Sequence, residues 1–177
     1  MACNQTLTNL NRACSDKNNK GGLYTEIKVA EWDKVTVSYN SDGVISAITL
    51  AQNASWYTYQ FAKGAAIFDS EYTFDSETGD KQFCTNNLTI NFKKQDASKR
   101  ASLVALCNSE VFVLVKDANG IWYAMGTEEY VSCTSATSTT GQARTDTNQY
   151  TTVLTDTTAD YAPIVPQTVI DVLFPTA

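Results

Sequence analysis

The chain contains no histidine in 177 residues. That absence removes imidazole acid–base catalysis, Ser-His-Asp and Cys-His nucleophile systems, and histidine metal ligands together. Neither G-x-x-x-x-G-K-[ST] nor G-x-G-x-x-G occurs, so no phosphate cradle is expected. No stretch approaches the roughly 18 consecutive apolar residues of a membrane span. The N-terminal MACNQTLTNLNRACSDKNNKGG lacks the apolar centre of a secretory signal, which leads to the expectation of a chain made and folded in cytoplasm. There is no C-x-x-C pair among the five cysteines, Cys3, Cys14, Cys84, Cys107 and Cys133, so neither a zinc site nor a disulfide framework is expected. Cys84, Cys107 and Cys133 read as small buried hydrophobes. A Cys3–Cys14 bridge stays open, although a reducing compartment disfavours it.

Positive charge is scarce where it would matter for nucleic acid. Up to Arg100 the chain carries 11 basic and 11 acidic residues; beyond it only Lys116 and Arg144 stand against eight acids, so the whole net charge of −6 lies there. Tight binding to a phosphate backbone needs clustered Lys and Arg, and this surface should repel DNA.

What the chain does have is a long two-faced hairpin, IFDSEYTFDSETGDKQFCTNNLTINFKK, from Ile67 to Lys94. Phe68, Ser70, Tyr72 and Phe74 alternate with Asp69, Glu71, Thr73 and Asp75. On the return arm Leu88, Ile90 and Phe92 alternate with Thr89, Asn91 and Lys93. Glu77-Thr78-Gly79-Asp80 forms the turn. Both arms exceed the usual strand length of about 5–6 residues, so the hairpin is expected to outgrow its own core. Phe68, Tyr72, Phe74, Leu88, Ile90 and Phe92 are therefore candidate subunit-interface residues, and Asp69, Glu71, Asp75, Glu77 and Asp80 a solvated acidic tip.

Around it the pattern is mostly strands. Residues 1–22 read as an arm closed by Gly21-Gly22. Strands are expected over Leu23–Ala30, Lys34–Tyr39, Val44–Leu50 and Ser55–Phe61, with a turn at Ser41-Asp42-Gly43. Asp96 is a good N-cap for the one convincing helix, 96–107, whose stripe of Leu103, Leu106 and Cys107 would cover one open face of a sandwich. Val111–Lys116 and Ile121–Met125 flank the turn Asp117–Gly120. From Ser132 to Thr158, 14 of 27 residues are Ser or Thr, yet none is Pro, which suits paired strands broken at Thr140-Gly141 better than a mucin-like stalk. Residues 163–177, bracketed by Pro163, Pro166 and Pro175, read as an edge strand or an arm docked on a neighbour. One domain, 23–162, lies between the two arms.

Other chemistry is thin. The carboxylates near Asp75 could serve a glycosidase or bind calcium, but Asp75-x-Glu77-x-x-Asp80 does not match a calcium loop. Trp56, Tyr57 and Tyr59 could stack on a sugar, or fill a sheet core; Trp122 and Tyr123 read the same way. Sequons at Asn4, Asn53 and Asn87 mean little in a chain so rich in Asn, Ser and Thr. No catalytic residue, metal or cofactor is expected.

The polar arm ending in Gly21-Gly22, the strands, the long hairpin, one helix, the VFVLVKDANGIWYAMG hairpin and the TGQARTDTNQYTTVLT segment together resemble the tail tube proteins of tailed bacteriophages, particularly those infecting Bacteroidetes. The resemblance spans roughly Leu23 to Phe174. It implies a mainly β fold, a β-sandwich or small barrel with one flanking α-helix and a long protruding β-hairpin. It implies a structural virion protein rather than an enzyme. Six copies would form a ring, rings would stack through the hairpin and arms, and DNA would pass through an acidic channel without tight binding. Partners would be further copies of the chain and other tail proteins, with no membrane. Two alternatives are a single-ring hub, collar or terminator of a short-tailed phage, and a carbohydrate-binding β-sandwich using Trp56 and Tyr59.

Overall fold

A computed structural model describes residues 9–10 and 17–175. It contains eleven strands, β1 Leu23–Glu31, β2 Val35–Tyr39, β3 Ile45–Leu50, β4 Tyr57–Gln60, β5 Ala66–Phe74, β6 Lys81–Lys93, β7 Val111–Asp117, β8 Trp122–Met125, β9 Ser132–Thr139, β10 Gln149–Thr158 and β11 Ile164–Val165. Two α-helices, α1 Ala97–Cys107 and α2 Gln167–Leu173, and a single 3-10 turn, Trp32–Lys34, between β1 and β2 complete the described elements. The fold is mainly β. A five-stranded sheet in the order β11-β8-β7-β1-β4 faces a four-stranded sheet in the order β5-β6-β10-β9, and β2-β3 form a separate hairpin.

The sandwich core lies between the two sheets. Ile27, Val29, Val111, Val113, Val115 and Met125 from one side meet Leu88, Ile90, Phe92 and Leu154 from the other. Side chains alternate across a strand, so Phe112 and Leu114 point the opposite way. There they join Ile45 and Ile48 of the β2-β3 hairpin, Trp122, Ala124, Val165, and Val169 and Ile170 of α2 in a second core. Burial on both faces is why β7 reads as an unbroken apolar run, VFVLV, instead of an alternating one.

Helix α1 starts as the sequence predicts: Asp96 Oδ1 accepts the Lys99 backbone N–H at 2.8 Å. Leu103 and Leu106 enter the sandwich core. The helix spans the side of the sandwich between the edge strands β4 and β9, where Tyr59 Oη donates to Ser102 O and the Cys107 thiol meets Cys133.

Two expectations are corrected. The hairpin 67–94 is no spare arm: β6 pairs along its length with β10, from Gln149↔Lys93 to Thr158↔Cys84, and its apolar face is covered by the opposite sheet. Only the tip, 73–83, extends past the pairing with β10. The C-terminal segment is an edge strand only over Ile164–Val165, and most of it is a helix. It adds β11 to β8, then turns at Pro166 into α2, and buries Val169 and Ile170 on its own chain. Of the N-terminal arm, most residues, including Cys3 and Cys14, lie outside the described residues. Lys20 and Gly22 are held at the β7–β8 turn: the Lys20 N–H donates to Asn119 Oδ1, and the Gly22 carbonyl accepts the Ala118 N–H.

Gly126 is a tertiary node. Its φ of +88° is a left-handed conformation, and an added Cβ would lie 3.1 Å from the Val111 carbonyl oxygen and 3.2 Å from Phe112 Cα. Its carbonyl accepts the Trp32 indole N–H at 2.8 Å and its N–H donates to Asp156 Oδ2 at 2.7 Å, tying both sheets together.

Candidate functional site: the outer face of the four-stranded sheet

The strand alternation that sends Leu88, Ile90 and Leu154 inward sends a polar set outward. Register aligns it in rows: Ile67, Thr89, Val153 and Ser135; Asp69, Asn87 and Thr155; Glu71, Thr85 and Thr157; Asn91, Thr151 and Thr137. Between Lys81 at one end and Lys93 at the other, these rows hold no lysine or arginine.

Several of the hydroxyls and amides bond one another. Thr151 Oγ1 donates to Asn91 Oδ1 at 2.6 Å, Thr155 Oγ1 to Asn87 Oδ1 at 3.0 Å, and Gln149 Nε2 to Asn91 Oδ1 at 3.3 Å. Thr134 and Thr155 hydroxyls lie 2.9 Å apart. Cross-strand pairs of this kind stabilise a sheet modestly. They also engage the Gln149, Thr151 and Thr155 donors, which would otherwise be free to reach for a phosphate. The resulting face is a neutral carpet with two free carboxylates, Asp69 and Glu71, along its β5 margin.

Among the described residues that sheet has two open edges. β5 and β9 each pair on one side only. β9 is exposed over its last six residues and carries neither Pro nor Lys, devices that commonly shield an edge. Because all three pairings in the sheet are antiparallel, β5 and β9 run in opposite directions.

The expected interface residues separate. Leu88 and Ile90 are fully buried in the chain's own core and Phe92 nearly so, which corrects their assignment to a subunit contact: the five-stranded sheet already covers them. Phe68 is half-buried against the same core and packs on Tyr123. Tyr72 is engaged within its own chain, with its ring 4.3 Å from Tyr161, its hydroxyl donating to Asp160, and Lys81 over its face. Phe74 alone is left 59% exposed.

The acidic residues do not form one cluster of common purpose. Asp69 and Glu71 belong to the polar sheet face. Asp75 organises the turn: its Oδ1 accepts the backbone N–H groups of Glu77 at 2.7 Å and Thr78 at 2.9 Å. Those N–H groups, Thr78 first, hold its carboxyl below the ordinary value. Glu77 and Asp80 are exposed on the tip. Among the described residues no group of three or more Cys, Asp or Glu is placed to hold a metal ion.

A polar node that sequence reading missed lies inside the sandwich. Asn86, Asp156 and Thr158 are all buried. Asn86 Nδ2 donates to Thr158 Oγ1 at 3.0 Å, and its Oδ1 accepts from Ser70 Oγ and the Ala162 N–H. Asp156 Oδ1 has no hydrogen-bond partner among the described residues. Burial pushes its carboxyl above the ordinary value, with the Gly126 N–H opposing. The signal was available: Asn86 and Asp156 occupy inward positions of alternating strands.

Of the two readings of the aromatic set, sheet core or sugar platform, Trp56 and Tyr59 follow the first. Trp56 packs edge-on against Phe112 and Phe174 at the second core, whereas Tyr59 packs against Phe92 at the sandwich core. The two rings serve opposite faces of the five-stranded sheet and form no common surface. Cys84 is fully buried as expected, but Cys107 and Cys133 are half-buried and touch. No described helix is long and apolar enough to cross a membrane. Comparison of the chain with family models and with curated proteins finds no match.

Proposed function

We propose that this chain is a structural subunit of a bacteriophage tail tube, six copies closing into a ring through which DNA passes. One observation carries the reading: a polar, cation-poor sheet face bounded by two unpaired edges of opposite direction. Rotation about an axis roughly along the strands brings β5 of one copy beside β9 of the next, and the pairing is then antiparallel like the rest of the sheet. Such a contact is heterologous, and it closes when the rotation divides a full turn. It also removes the open edges.

Six copies of a four-stranded sheet make a wall of twenty-four strands. At a strand spacing of about 4.8 Å the wall has a diameter of about 37 Å before tilt widens it, which accommodates a duplex and the side chains lining it. The polar face would form the lining. Thr and Asn hydrogen-bonded to each other, with Asp69 and Glu71, offer a polyanion no counterion-releasing grip, so DNA slides. Ser and Thr hydroxyls along β9 would meet the Asp69 and Glu71 margin of the neighbouring β5. Ring-to-ring contact would fall to the tip, where Phe74 is exposed, with other tail proteins at the ends of the virion structure.

The test is negative-stain electron microscopy joined to sedimentation over a concentration series. Rings or hollow rods are expected. A protein that remains monomeric at high concentration overturns the reading, and rings that never stack favour a single-ring hub, collar or terminator. Proline at Thr137 and, separately, at Ser138 probes the edge directly. Backbone N–H groups alternate in direction along a strand, so one of these variants removes an outward donor while sparing the β10 ladder. That variant should fold and fail to assemble.

A further inference from the structure

Cys133 Sγ lies 2.9 Å from Cys107 Sγ. Cys107 is the last residue of α1, and Cys133 sits in β9 opposite Leu154, turned inward to pack against the sandwich core. The contact joins the flanking helix to an edge strand across 26 residues of chain that include β7 and β8. Cys107 also lines an open groove of about 490 Å³ between α1 and β9–β10, together with Gln95, Arg100, Tyr150 and Thr152. The pair is thus close, half-buried, and reachable from solvent on one side.

We propose that Cys107 and Cys133 are a redox modification site, forming a reversible disulfide that staples α1 to β9 on exposure to a small-molecule disulfide oxidant. One protein thiolate attacks the oxidant RSSR, giving a mixed disulfide and releasing RS⁻. The second thiol yields its proton to water, and its thiolate attacks the protein-side sulfur and expels the second RS⁻. The two cysteines lose two electrons, RSSR gains them, and two RSH form after protonation. Arg100 in the groove favours an anionic oxidant such as oxidised glutathione. Burial, and then the hydrogen bond and proximity of Cys133, push the Cys107 thiol up to about 12. The site is therefore slow near neutrality and closes faster as pH rises. In a reducing compartment it stays a dithiol.

The staple needs no second copy. It should form in a monomer, so its outcome is independent of ring assembly. The experiment treats the folded full-length chain with oxidised glutathione at mildly alkaline pH, then maps disulfides by non-reducing digestion and mass spectrometry. The expected result is a linked peptide joining Cys107 to Cys133, released by dithiothreitol, with a rise of about 5–10 °C in the unfolding midpoint. The double variant Cys3→Ser/Cys14→Ser should keep both the link and the rise. Cys107→Ser and Cys133→Ser should each lose the rise. Should either serine variant fail to fold, the peptide map of the unsubstituted chain decides alone. The proposal is overturned if both thiols remain free to alkylation after the treatment, if the link appears only in denatured protein, or if it forms without raising the midpoint.

Discussion

β7 reads VFVLV and β10 reads TTVLTDTT, yet each is an interior strand of its sheet. β7 is covered twice, by the sandwich core on one side and by β2-β3 and α2 on the other. β10 is covered once, and its outer positions are Thr and Val in a hydrogen-bonded carpet. The five-stranded sheet thus has its second face closed by the chain itself, using a hairpin and a helix that pack nowhere else. Among the described residues the four-stranded sheet has no such cover. Its outer rows between Lys81 and Lys93 are polar, partly hydrogen-bonded within themselves and without a cation, so they can stand beside water or a polyanion without gripping the polyanion.

The sharpest way to break this contrast is to empty a doubly covered position. Phe112→Ala should cost about 3–5 kcal/mol in chemical denaturation, since it leaves a cavity in the second core. Leu88→Ala should cost about 2–5 kcal/mol and should do so in the monomer. If Leu88→Ala instead left monomer stability intact and weakened only assembly, its own-core role would be refuted.

A second comparison sets buried against exposed carboxylates. The Asp156 carboxyl titrates above its ordinary value of 3.8, so between the unfolded and folded values the native state holds the extra proton. Its contribution therefore becomes unfavourable as pH rises through the folded value, and is relieved below the unfolded one. Asp75, and Asp160 beside Lys81 and Tyr72, titrate below 3.8 and have the opposite sign: their contributions are present above 3.8 and lost as pH falls. Asp156→Asn should raise the unfolding midpoint at pH 7, and that advantage should shrink as pH is lowered toward 4. An advantage independent of pH would show that the buried charge is not its source.

Charge on the open face gives a gain instead of a loss. Asp69→Lys/Glu71→Lys should create salt-dependent DNA binding where the original face has none, with fold and midpoint nearly unchanged. Mobility shift at two ionic strengths reads this out. Unaltered DNA affinity would remove the lining role from that margin. The smallest effect is expected for Thr155→Val, which deletes the hydroxyl bonds to Asn87 and Thr134 and should change stability by about 1 kcal/mol or less. A cost of several kcal/mol would mean that the carpet holds the sheet together.

Much of this was legible along the chain. Alternation at Phe68–Phe74 and Leu88–Phe92 marked two strands and their faces. Asp96 marked the start of α1, and Asp117–Gly120 the β7–β8 turn. The helix α2 was not legible, because Pro163 and Pro166 suggested an edge strand; Val169, Ile170 and Leu173 have helical spacing, but the segment is short. Trp56 and Tyr59 read as sheet core or as a sugar platform, and only the packing showed that they fill cores on opposite faces of one sheet.

Local alternation and turn chemistry are properties of neighbouring residues, so the sequence by itself determined the strands, the capped helix, the scarcity of cations after Arg100 and the absence of imidazole chemistry. Which apolar face meets which partner depends on residues far apart in the chain. Tertiary structure alone decided that Leu88, Ile90 and Phe92 close on their own sandwich, that the C-terminal segment returns to cover β7, and that Cys107 meets Cys133. Among the described residues it also left the Thr and Asn face of β6 and β10 uncovered, because the β2-β3 hairpin and α2 were used on the opposite sheet.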